Sequence, residues 1–178
     1  MIDKILTATT AAVLACSISI AAAQGVDFAK TEIETVKISD GLYVLMGGPA
    51  QGNIVVSSGS DGLFLIDSMY GPMHQKIMDA LRKISPQPIR YLVNTHLHGD
   101  HTGGNEEMAK LGAVILSHEN MRKRLAEQKN APPAAALPVL TYTDSLGSRA
   151  FERFQHAIRS DFRPDQKMNM ICHDDVRA

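Results

Sequence analysis

The amino-acid sequence predicts an α/β layered sandwich in which helices pack against a sheet. Two observations predict this class. Between residues 33 and 67, short apolar and β-branched segments alternate with turns that contain Gly and Asp, which is typical of an antiparallel meander. After Asp67 the spacing of the apolar residues changes to that of a helix, and strand-like and helix-like segments then alternate, as they do in α/β folds. The length of 178 residues suits one domain with its own core.

The first four elements are predicted to be strands joined by short turns. The segment "IETVKI" alternates in polarity, and "GLYVLMG" follows the turn at Asp40–Gly41. "GNIVVSSG" is apolar and bounded by glycines, and a turn at Ser60–Gly62 leads into "LFLID". Gly and Asp favour turns at these positions, whereas the β-branched residues between them favour strands.

The elements that follow are predicted to alternate between helices and strands. Apolar residues at positions 73, 77, 80, 81 and 84 share one helical face, and Pro86 and Pro88 end that helix. "IRYLVNT" predicts a buried strand, and a short helix is expected around Asn105–Lys110, ending at Gly112. "AVILS" predicts a further buried strand, and the helix-like segment "HENMRKRLAEQK" follows it.

Composition and charge argue against several classes of partner. The formal net charge is −1, so the overall charge gives no reason to expect nucleic acid or an anionic membrane surface as a partner. The sequence leaves the oligomeric state open. The two cysteines are Cys16 and Cys172, and cleavage of the N-terminus would leave only the second, which excludes an intramolecular disulfide.

Residues 1–23 are predicted to be a secretory signal peptide. Lys4 precedes an apolar stretch, and small residues at Ala21–Ala23 stand where a signal peptidase would cut, before Gln24. The alternatives are a membrane anchor, a buried helix, or a lipoprotein signal through Cys16. The stretch is rich in Ala, Thr and Ser, which is not typical of a membrane span. We therefore expect a periplasmic or secreted protein with no stable membrane insertion after cleavage.

The segment "THLHGDHTGG", residues 95–104, concentrates three of the seven histidines of the chain beside an aspartate. The four residues are His96, His98, Asp100 and His101. Imidazole nitrogens and carboxylates are the ligands of zinc and of similar divalent ions. Four such groups in one loop suit two ions better than one. Water bound to zinc has a pKa of about 7, which supplies hydroxide at neutral pH for attack on a carbonyl or phosphoryl centre.

The spacing of these residues predicts how the loop is shaped. In extended backbone, alternate side chains point the same way, so His96, His98 and Asp100 are expected to converge on one side. The chain must then turn at His101. Three glycines are expected to supply the backbone freedom for that turn: Gly99, Gly103 and Gly104.

The histidine motif resembles the signature of the metallo-β-lactamase superfamily, and the resemblance extends over residues 33–142, including "LFLID" and "AVILSHENMRKRL". It implies an αββα sandwich, of which this chain would hold the first β/α half. It also implies a hydrolase that uses up to two Zn²⁺ ions or another divalent metal. In such an enzyme, metal-bound hydroxide would attack the β-lactam, ester, lactone or thioester carbonyl of a small-molecule substrate. His96 and His98 would bind the first ion, and Asp100 and His101 the second. Asp100 would also be catalytic, as a charge and proton partner.

The resemblance implies a supporting role for one further residue, Asp67. It would not bind metal itself but would orient residues 95–104, the ligand loop. The residues alone equally allow Asp67 to be a helix N-cap or a turn residue. Two other histidines are interpreted without metal. His118, at a strand end, is expected to cap the next helix or to face solvent, and His74 is expected to be solvated.

The pattern fades towards the C-terminus. Residues 24–146 are predicted to form the metallo-β-lactamase-like domain, and residues 147–178 an atypical charged tail. The family completes its site with a second half that supplies a third His, a bridging Asp and a final His, and the tail does not present these in recognisable form. The tail residues that are chemically able to replace them are His156, Cys172, His173 and Asp174.

Two functions of different classes therefore remain open. The first is a zinc-dependent hydrolase of the superfamily, with a glyoxalase II-like thioesterase as one version of it. The second is a truncated, non-catalytic metal-binding domain. The number of metal ions bound by the purified chain would separate the two.

Overall fold

The computed structural model describes residues 25–50 and 52–143, which form one seven-stranded sheet with helices packed against it. The strands are β1 (Glu34–Ser39), β2 (Leu42–Met46), β3 (Asn53–Gly59), β4 (Gly62–Ile66), β5 (Ile89–Val93), β6 (Val114–His118) and β7 (Leu140–Tyr142). The helices are α1 (His74–Ile84), α2 (Gly99–Thr102), α3 (Asn105–Lys110) and α4 (Glu119–Ala126). The strands lie in the sheet in the same order as in the chain.

The predicted meander is confirmed. Strands β1 to β4 pair antiparallel with their neighbours. Each pair is joined by a short connection, and Gly41 takes a φ of 76° in the turn between β1 and β2, a conformation that glycine adopts without steric cost.

The predicted alternation of helices and strands is also confirmed, and it makes the second part of the sheet parallel. β4, β5, β6 and β7 pair parallel, because α1 connects β4 to β5 and α3 precedes β6. The helix predicted around Asn105–Lys110 is present with those bounds. Strand β7 was not predicted, because three residues are too few to show a period.

One face of the sheet carries the larger apolar core. Ile77, Ala80 and Leu81 of α1 and Met108 of α3 pack there against inward-facing strand residues. The strand residues in this cluster are Leu45, Ile54, Val56, Leu63, Leu65, Ile89, Leu92 and Ile115. This packing fixes α1 and α3 relative to the ends of β4 and β5.

The opposite face carries a second apolar cluster whose members all lie on strands. Val55, Ile66, Val93 and Leu116 follow one another in register across β3 to β6. Apolar residues on both faces are typical of the parallel strands of α/β folds.

The predicted signal peptide and charged tail lie outside the described residues, and the domain boundaries at 24 and 146 stay predictions. In the part of the chain that the structure describes, the longest helix has 11 residues, and none combines the length and the apolar character needed to cross a bilayer.

Candidate metal site

The site lies where β4 and β5 end. These strands are parallel neighbours, so their carboxyl ends meet at one edge of the sheet, where α/β folds place their binding sites. Asp67 directly follows β4, and its backbone N–H donates to the carbonyl of Val93 at the end of β5 (2.8 Å). The ligand loop begins two residues later at Thr95. The sheet therefore brings Asp67 to the first residue of this loop.

Asp67 is a buried carboxylate, 4% exposed, whose two oxygens both bind the ligand loop. Oδ1 accepts from the backbone N–H of Thr95 (2.8 Å), and Oδ2 accepts from the Thr95 hydroxyl (2.7 Å). Oδ2 also lies 2.7 Å from Nδ1 of His101. Asp67 takes a φ of 65°, in the left-handed region that Asp tolerates better than most residues. The predicted orienting position is confirmed, and the N-cap interpretation is wrong, since Met73 precedes α1.

These contacts determine which nitrogen of two histidines is free. A hydroxyl has one proton, and Thr95 donates it to Asp67, so Oγ1 is left to accept from Nδ1–H of His96 (3.1 Å). His101 donates its own Nδ1–H directly to Asp67. In the neutral form of both rings this places the proton at Nδ1 and the lone pair at Nε2, the atom that faces His98 in one ring and Asp100 in the other. Metal-binding histidines are usually oriented by such a partner on the other nitrogen.

The four predicted ligands are brought together as two pairs of donor atoms. Nε2 of His96 lies 3.1 Å from Nδ1 of His98, and Nε2 of His101 lies 3.2 Å from Oδ2 of Asp100. Two ligands of a tetrahedral zinc ion with bonds of about 2.0–2.1 Å are about 3.3 Å apart. Each pair is therefore close to the separation of two ligands of one ion, and in the metal-free protein the same distances are those of a hydrogen bond and an ion pair. The rings of His96 and His101 are 3.9 Å apart, so the two pairs are adjacent.

The pairing matches the division implied by the resemblance, with His96 and His98 in one pair and Asp100 and His101 in the other. Within residues 25–50 and 52–143, no three His, Cys, Asp or Glu side chains are grouped in a way that would hold one ion. Whether the four residues bind metal stays a prediction. The tail residues proposed as replacement ligands lie outside the described part of the chain.

The backbone of the ligand loop differs from the prediction. The alternation that was expected to align Asp100 with the two histidines ends at His98, which is extended (φ −68°, ψ 153°) and precedes α2. Asp100 and His101 lie on that helix. The turn therefore begins at Gly99, two residues before the predicted position. Asp100 faces His101 from the first turn of α2, so the extended alternation that was expected to align it with His96 and His98 ends before it.

The glycines of the loop serve close packing and not the freedom of a turn. Gly103 (φ −63°) and Gly104 (φ −86°) have ordinary helical or near-helical backbone. A Cβ on Gly103 would lie 2.6 Å from the carbonyl oxygen of Gly99, and one on Gly104 would collide with the carbonyl oxygen of Ser68. On the other side of the loop, a Cβ on Gly52 would collide with the carbonyl oxygen of Asp100. Bare backbone is therefore needed on both sides of α2.

A buried polar network, which sequence reasoning missed, holds the backbone of His101. The His101 carbonyl accepts from the backbone N–H of Ser68 (2.9 Å) and from Nδ2 of Asn94 (3.2 Å). Asn94 and Asn105 exchange amide hydrogen bonds of 2.8 and 3.0 Å, and Ser68 donates to Oδ1 of Asn105 (2.9 Å). All three side chains are buried. The signal available in the sequence was an Asn at each end of the motif, one closing an apolar strand and one opening a helix.

The charges around the two central histidines shift their pKa values in opposite directions. Burial lowers the pKa of His96, and the neighbouring His101 lowers it further. Burial also acts to lower the pKa of His101, but its hydrogen bond to Asp67 and the charges of Asp67 and Asp100 outweigh burial and raise this pKa above its ordinary value. In the metal-free protein a proton therefore binds His101 more readily than His96.

The two remaining described histidines are remote from these pairs. His118 precedes α4 as its N-cap, accepting from the backbone N–H of Asn120 at Nδ1 (3.1 Å), so its predicted capping role is confirmed. His74 was expected to be solvated, but its Nδ1 atom is buried and has no hydrogen-bond partner among the described residues. That expectation was wrong for this nitrogen.

Comparison with known proteins identifies relatives of this fold. The family model described as the metallo-beta-lactamase superfamily matches residues 47–160, which is more than half of the chain. Among solved structures, a metallo-beta-lactamase from Pontibacter korlensis is 22% identical, with a TM-score of 0.55 over 66% of this chain and 56% of that one. A metallo beta lactamase from Hirschia baltica is 21% identical, with a TM-score of 0.53 over 66% of this chain and 55% of that one. The metallo-beta-lactamase SMB-1, in a complex with mercaptoacetic acid, is 20% identical, with a TM-score of 0.57 over 69% of this chain and 51% of that one.

These likenesses confirm the predicted fold class. At 20–22% identity they bear on the fold alone. The chain spans about half the length of the solved structures that it matches. The described sheet and helices correspond to one β/α part of an αββα sandwich.

Proposed function

This chain belongs to the metallo-β-lactamase superfamily, and we propose that it is a zinc-dependent hydrolase of that family. Its substrate would be a small molecule with a β-lactam, ester, lactone or thioester carbonyl. The observation that carries the proposal is the pair of donor separations, 3.1 Å for His96 with His98 and 3.2 Å for Asp100 with His101. Asp67 supports it, because it fixes the free nitrogens of His96 and His101 on the ligand side.

The donor set is suited to zinc. In the proposed assignment His96 and His98 hold one ion through Nε2 and Nδ1, and Asp100 and His101 hold a second through Oδ2 and Nε2. Imidazole and carboxylate ligands also accept other divalent ions. When bound, zinc polarises a substrate carbonyl and lowers the pKa of water.

The residues of the chain have separate tasks in this proposal. Thr95 and Asp67 keep a proton on Nδ1 of His96 and His101, so that neither imidazole ring rotates during the reaction. Asp100, with 19% of its side chain exposed, is near enough to solvent to take a proton from an attacking water. The Ser68–Asn94–Asn105 network keeps the backbone at His101 fixed, so that little reorganisation is needed when substrate arrives.

We also propose that the protein is exported to the periplasm or secreted, with residues 1–23 removed. A glyoxalase II-like thioesterase is one version of the same chemistry, and substrate comparison would distinguish it from a lactamase or lactonase.

The second candidate function is a metal-binding domain without turnover. The observation that favours it is the pairing itself, because a catalytic zinc usually has three protein ligands and one open position, and the described donors come two by two. Such a site would bind zinc more weakly and would leave it open to water.

The test is to purify residues 24–178 and to measure zinc content together with hydrolysis of a chromogenic β-lactam, a thioester and a lactone. Two zinc ions per chain and turnover of one substrate class would support the hydrolase. One ion or none, without turnover, would support the metal-binding domain. His96→Ala with His98→Ala should abolish tight zinc binding, whereas the control His118→Ala should retain it. Equal losses in both variants would point to unfolding instead of ligation.

A further inference from the structure

Residues 26–31 form a short folded segment before β1, which we call the N-terminal strap. The Asp27 carbonyl accepts from the backbone N–H of Thr31 (3.0 Å) and from the Thr31 hydroxyl (2.9 Å), and Thr31 is buried. The strap lies outside residues 47–160, the part of the chain that the family model matches. Its packing is therefore a feature of this chain that the family match does not cover.

Lys76 of α1 ties the strap to the body of the protein. Its ammonium group donates to the backbone carbonyls of Phe28 (3.2 Å), Ala29 (2.7 Å) and Thr31 (2.6 Å). A lysine ammonium has three N–H donors, and these three contacts match them. Because α1 packs on the sheet through buried apolar residues, the strap is held in place relative to the sheet.

Two aromatic rings connect the strap to the ligand loop. The ring centroids of Phe28 and Tyr70 lie 5.2 Å apart, with an angle of 58° between the planes, inside the range of about 4.5–7 Å for favourable aromatic pairs. The Tyr70 ring in turn lies against Gly99, because a Cβ added to Gly99 would be 3.4 Å from Cε1 and 3.8 Å from Cδ1 of Tyr70. Contacts therefore run from the strap through both rings to the first residue of α2.

Gly99 stands between one member of each donor pair, His98 and Asp100. The other member of each pair is held by Asp67, directly or through Thr95. In the part of the chain that the structure describes, the side chains of His98 and Asp100 form hydrogen bonds or ion pairs only within their own pairs. The places of these two donors therefore depend on the backbone at Gly99, which is where the aromatic contact lies.

We propose that the N-terminal strap is a positioning element of the metal site, which acts through Phe28 and Tyr70 to set the places of His98 and Asp100. The two rings bind neither metal nor substrate. They limit how far the backbone at Gly99 can shift, so that the donors of both pairs keep their separations. The proposal rests on the proposed function for the metal, but the contact between the strap and α2 can be tested without zinc.

The first experiment uses metal-free residues 24–178 and follows the backbone amide signals of residues 98–100 by NMR. Phe28→Ala should shift these signals, although they lie about seventy positions later in the chain, because the Tyr70 ring loses its support. Met78→Ala is the matched control and should leave them unchanged, since Met78 is another partly buried side chain on the same core cluster. Unmoved signals in Phe28→Ala, or equal shifts in both variants, would overturn the proposal.

The second experiment measures the two steps of zinc binding by competition with a chromophoric chelator. Phe28→Ala should weaken both steps, because Gly99 joins one member of each pair. The expected loss is roughly 2- to 30-fold, the range for substitutions in packed networks that do not touch the ligand. Phe28→Tyr retains the ring and should restore the affinity. A loss confined to one step, no rescue by tyrosine, or an equal loss in Met78→Ala would contradict the positioning role.

A second pair of variants tests the tie between the strap and α1. Lys76→Met removes the three bonds to the strap carbonyls and should weaken both zinc steps, as Phe28→Ala does. Lys83→Met is the matched control, because Lys83 is an exposed lysine on the same helix, and it should bind zinc normally. Full zinc affinity in Lys76→Met, or the same loss in both lysine variants, would count against the strap.

The two experiments separate this proposal from the proposed function. Zinc binding that is weakened in both steps by Phe28→Ala, together with shifted signals at residues 98–100, supports both. Absence of zinc binding in the unsubstituted protein refutes the proposed function, while shifted signals in Phe28→Ala would still support the strap. Equal zinc affinity in the unsubstituted protein and in Phe28→Ala refutes the strap alone.

Discussion

Asp67 and His101, 34 positions apart in the chain, are joined by a contact of 2.7 Å between Oδ2 and Nδ1. The same oxygen binds the Thr95 hydroxyl, which in turn faces Nδ1 of His96. One buried carboxylate thus orients two histidines of the candidate metal site, His101 directly and His96 through the Thr95 hydroxyl. Removing either connection should affect the histidines in different ways.

We expect Asp67→Asn to weaken zinc binding about 10- to 100-fold, the usual loss when a partner of a metal-binding histidine is removed. The amide no longer supplies a negative charge to His101, and its NH₂ group cannot accept the Nδ1 proton. Zinc titration against a chromophoric chelator measures the effect. The control is Asp79→Asn, an exposed carboxylate on α1. Unchanged zinc affinity in Asp67→Asn would refute the orienting role.

Thr95→Val should weaken the His96–His98 pair while sparing the Asp100–His101 pair. Valine has the shape of threonine but lacks the hydroxyl that relays the charge of Asp67 to His96. Thr95→Ser restores the hydroxyl and should restore binding. Two-step zinc titration distinguishes the pairs, and equal weakening of both steps, or no rescue by serine, would contradict the relay.

The pKa shifts predict a pH order for the metal-free protein. His101 should titrate above its ordinary value of about 6.5, and His96 below it. The stability contributed by protonated His101 is fully present below about pH 6.5 and is lost as the pH rises through its raised folded pKa. The stability contributed by neutral His96 is present above about pH 6.5 and is lost as the pH falls through its lowered folded pKa.

NMR titration of the imidazole Cε1 protons measures this order directly. Asp67→Asn should lower the pKa of His101, because the hydrogen bond and the charge that raise it are lost. Equal pKa values for His96 and His101 in the unsubstituted protein would contradict the opposite shifts predicted for the two rings.

Gly104→Ala should destabilise the protein by about 1–3 kcal/mol, the usual cost of an extra methyl group in a packed interior. The added Cβ would collide with the backbone carbonyl of Ser68, which cannot move without disturbing Asp67. Gly99→Ala is the matched control, since its Cβ would meet Tyr70 Cε1 at an ordinary 3.4 Å. Urea unfolding of metal-free protein gives both values, and equal stability of the two variants would contradict the packing explanation.

Export should yield a mature chain that begins at Gln24, because small residues at Ala21 and Ala23 follow the apolar stretch. Intact-mass measurement of protein recovered from the periplasm decides this. Exported protein that retains Met1 would contradict the signal-peptide prediction.

Local signals explain what the sequence predicted well. The meander and helix α3 were recognisable because turns, β-branched runs and helical spacing are encoded over a few residues. The four metal-type residues were recognisable by chemistry and spacing, and the structure brings them together in pairs. The shape of their loop was not, because it depends on where α2 begins. That start at Gly99 places Asp100 beside His101 through a helical turn, whereas the extended backbone predicted for residues 96–100 ends at His98.

Contacts between distant parts of the chain explain what was missed. Asn94 and Asn105 look like ordinary polar boundary residues in the sequence, and their role follows only from burial against Ser68 and His101. Gly104 was predicted to provide backbone freedom for a turn. It is instead required because a side chain there would collide with the carbonyl of Ser68, 36 positions earlier in the chain. Neither fact is encoded in the immediate neighbourhood.

The strand order has a consequence for how the molecule is assembled. Because each strand lies beside its neighbours in the chain, the sheet can grow from its first hairpin by adding one strand at a time to an existing edge. Between β1 and β4 such pairing needs only short loops to close, which favours rapid formation, whereas each parallel pair from β4 onwards needs a longer crossover connection and forms more slowly. During synthesis from the N-terminus, β4 and Asp67 precede the histidines by about thirty residues, so the carboxylate can already be in place when the histidines reach it.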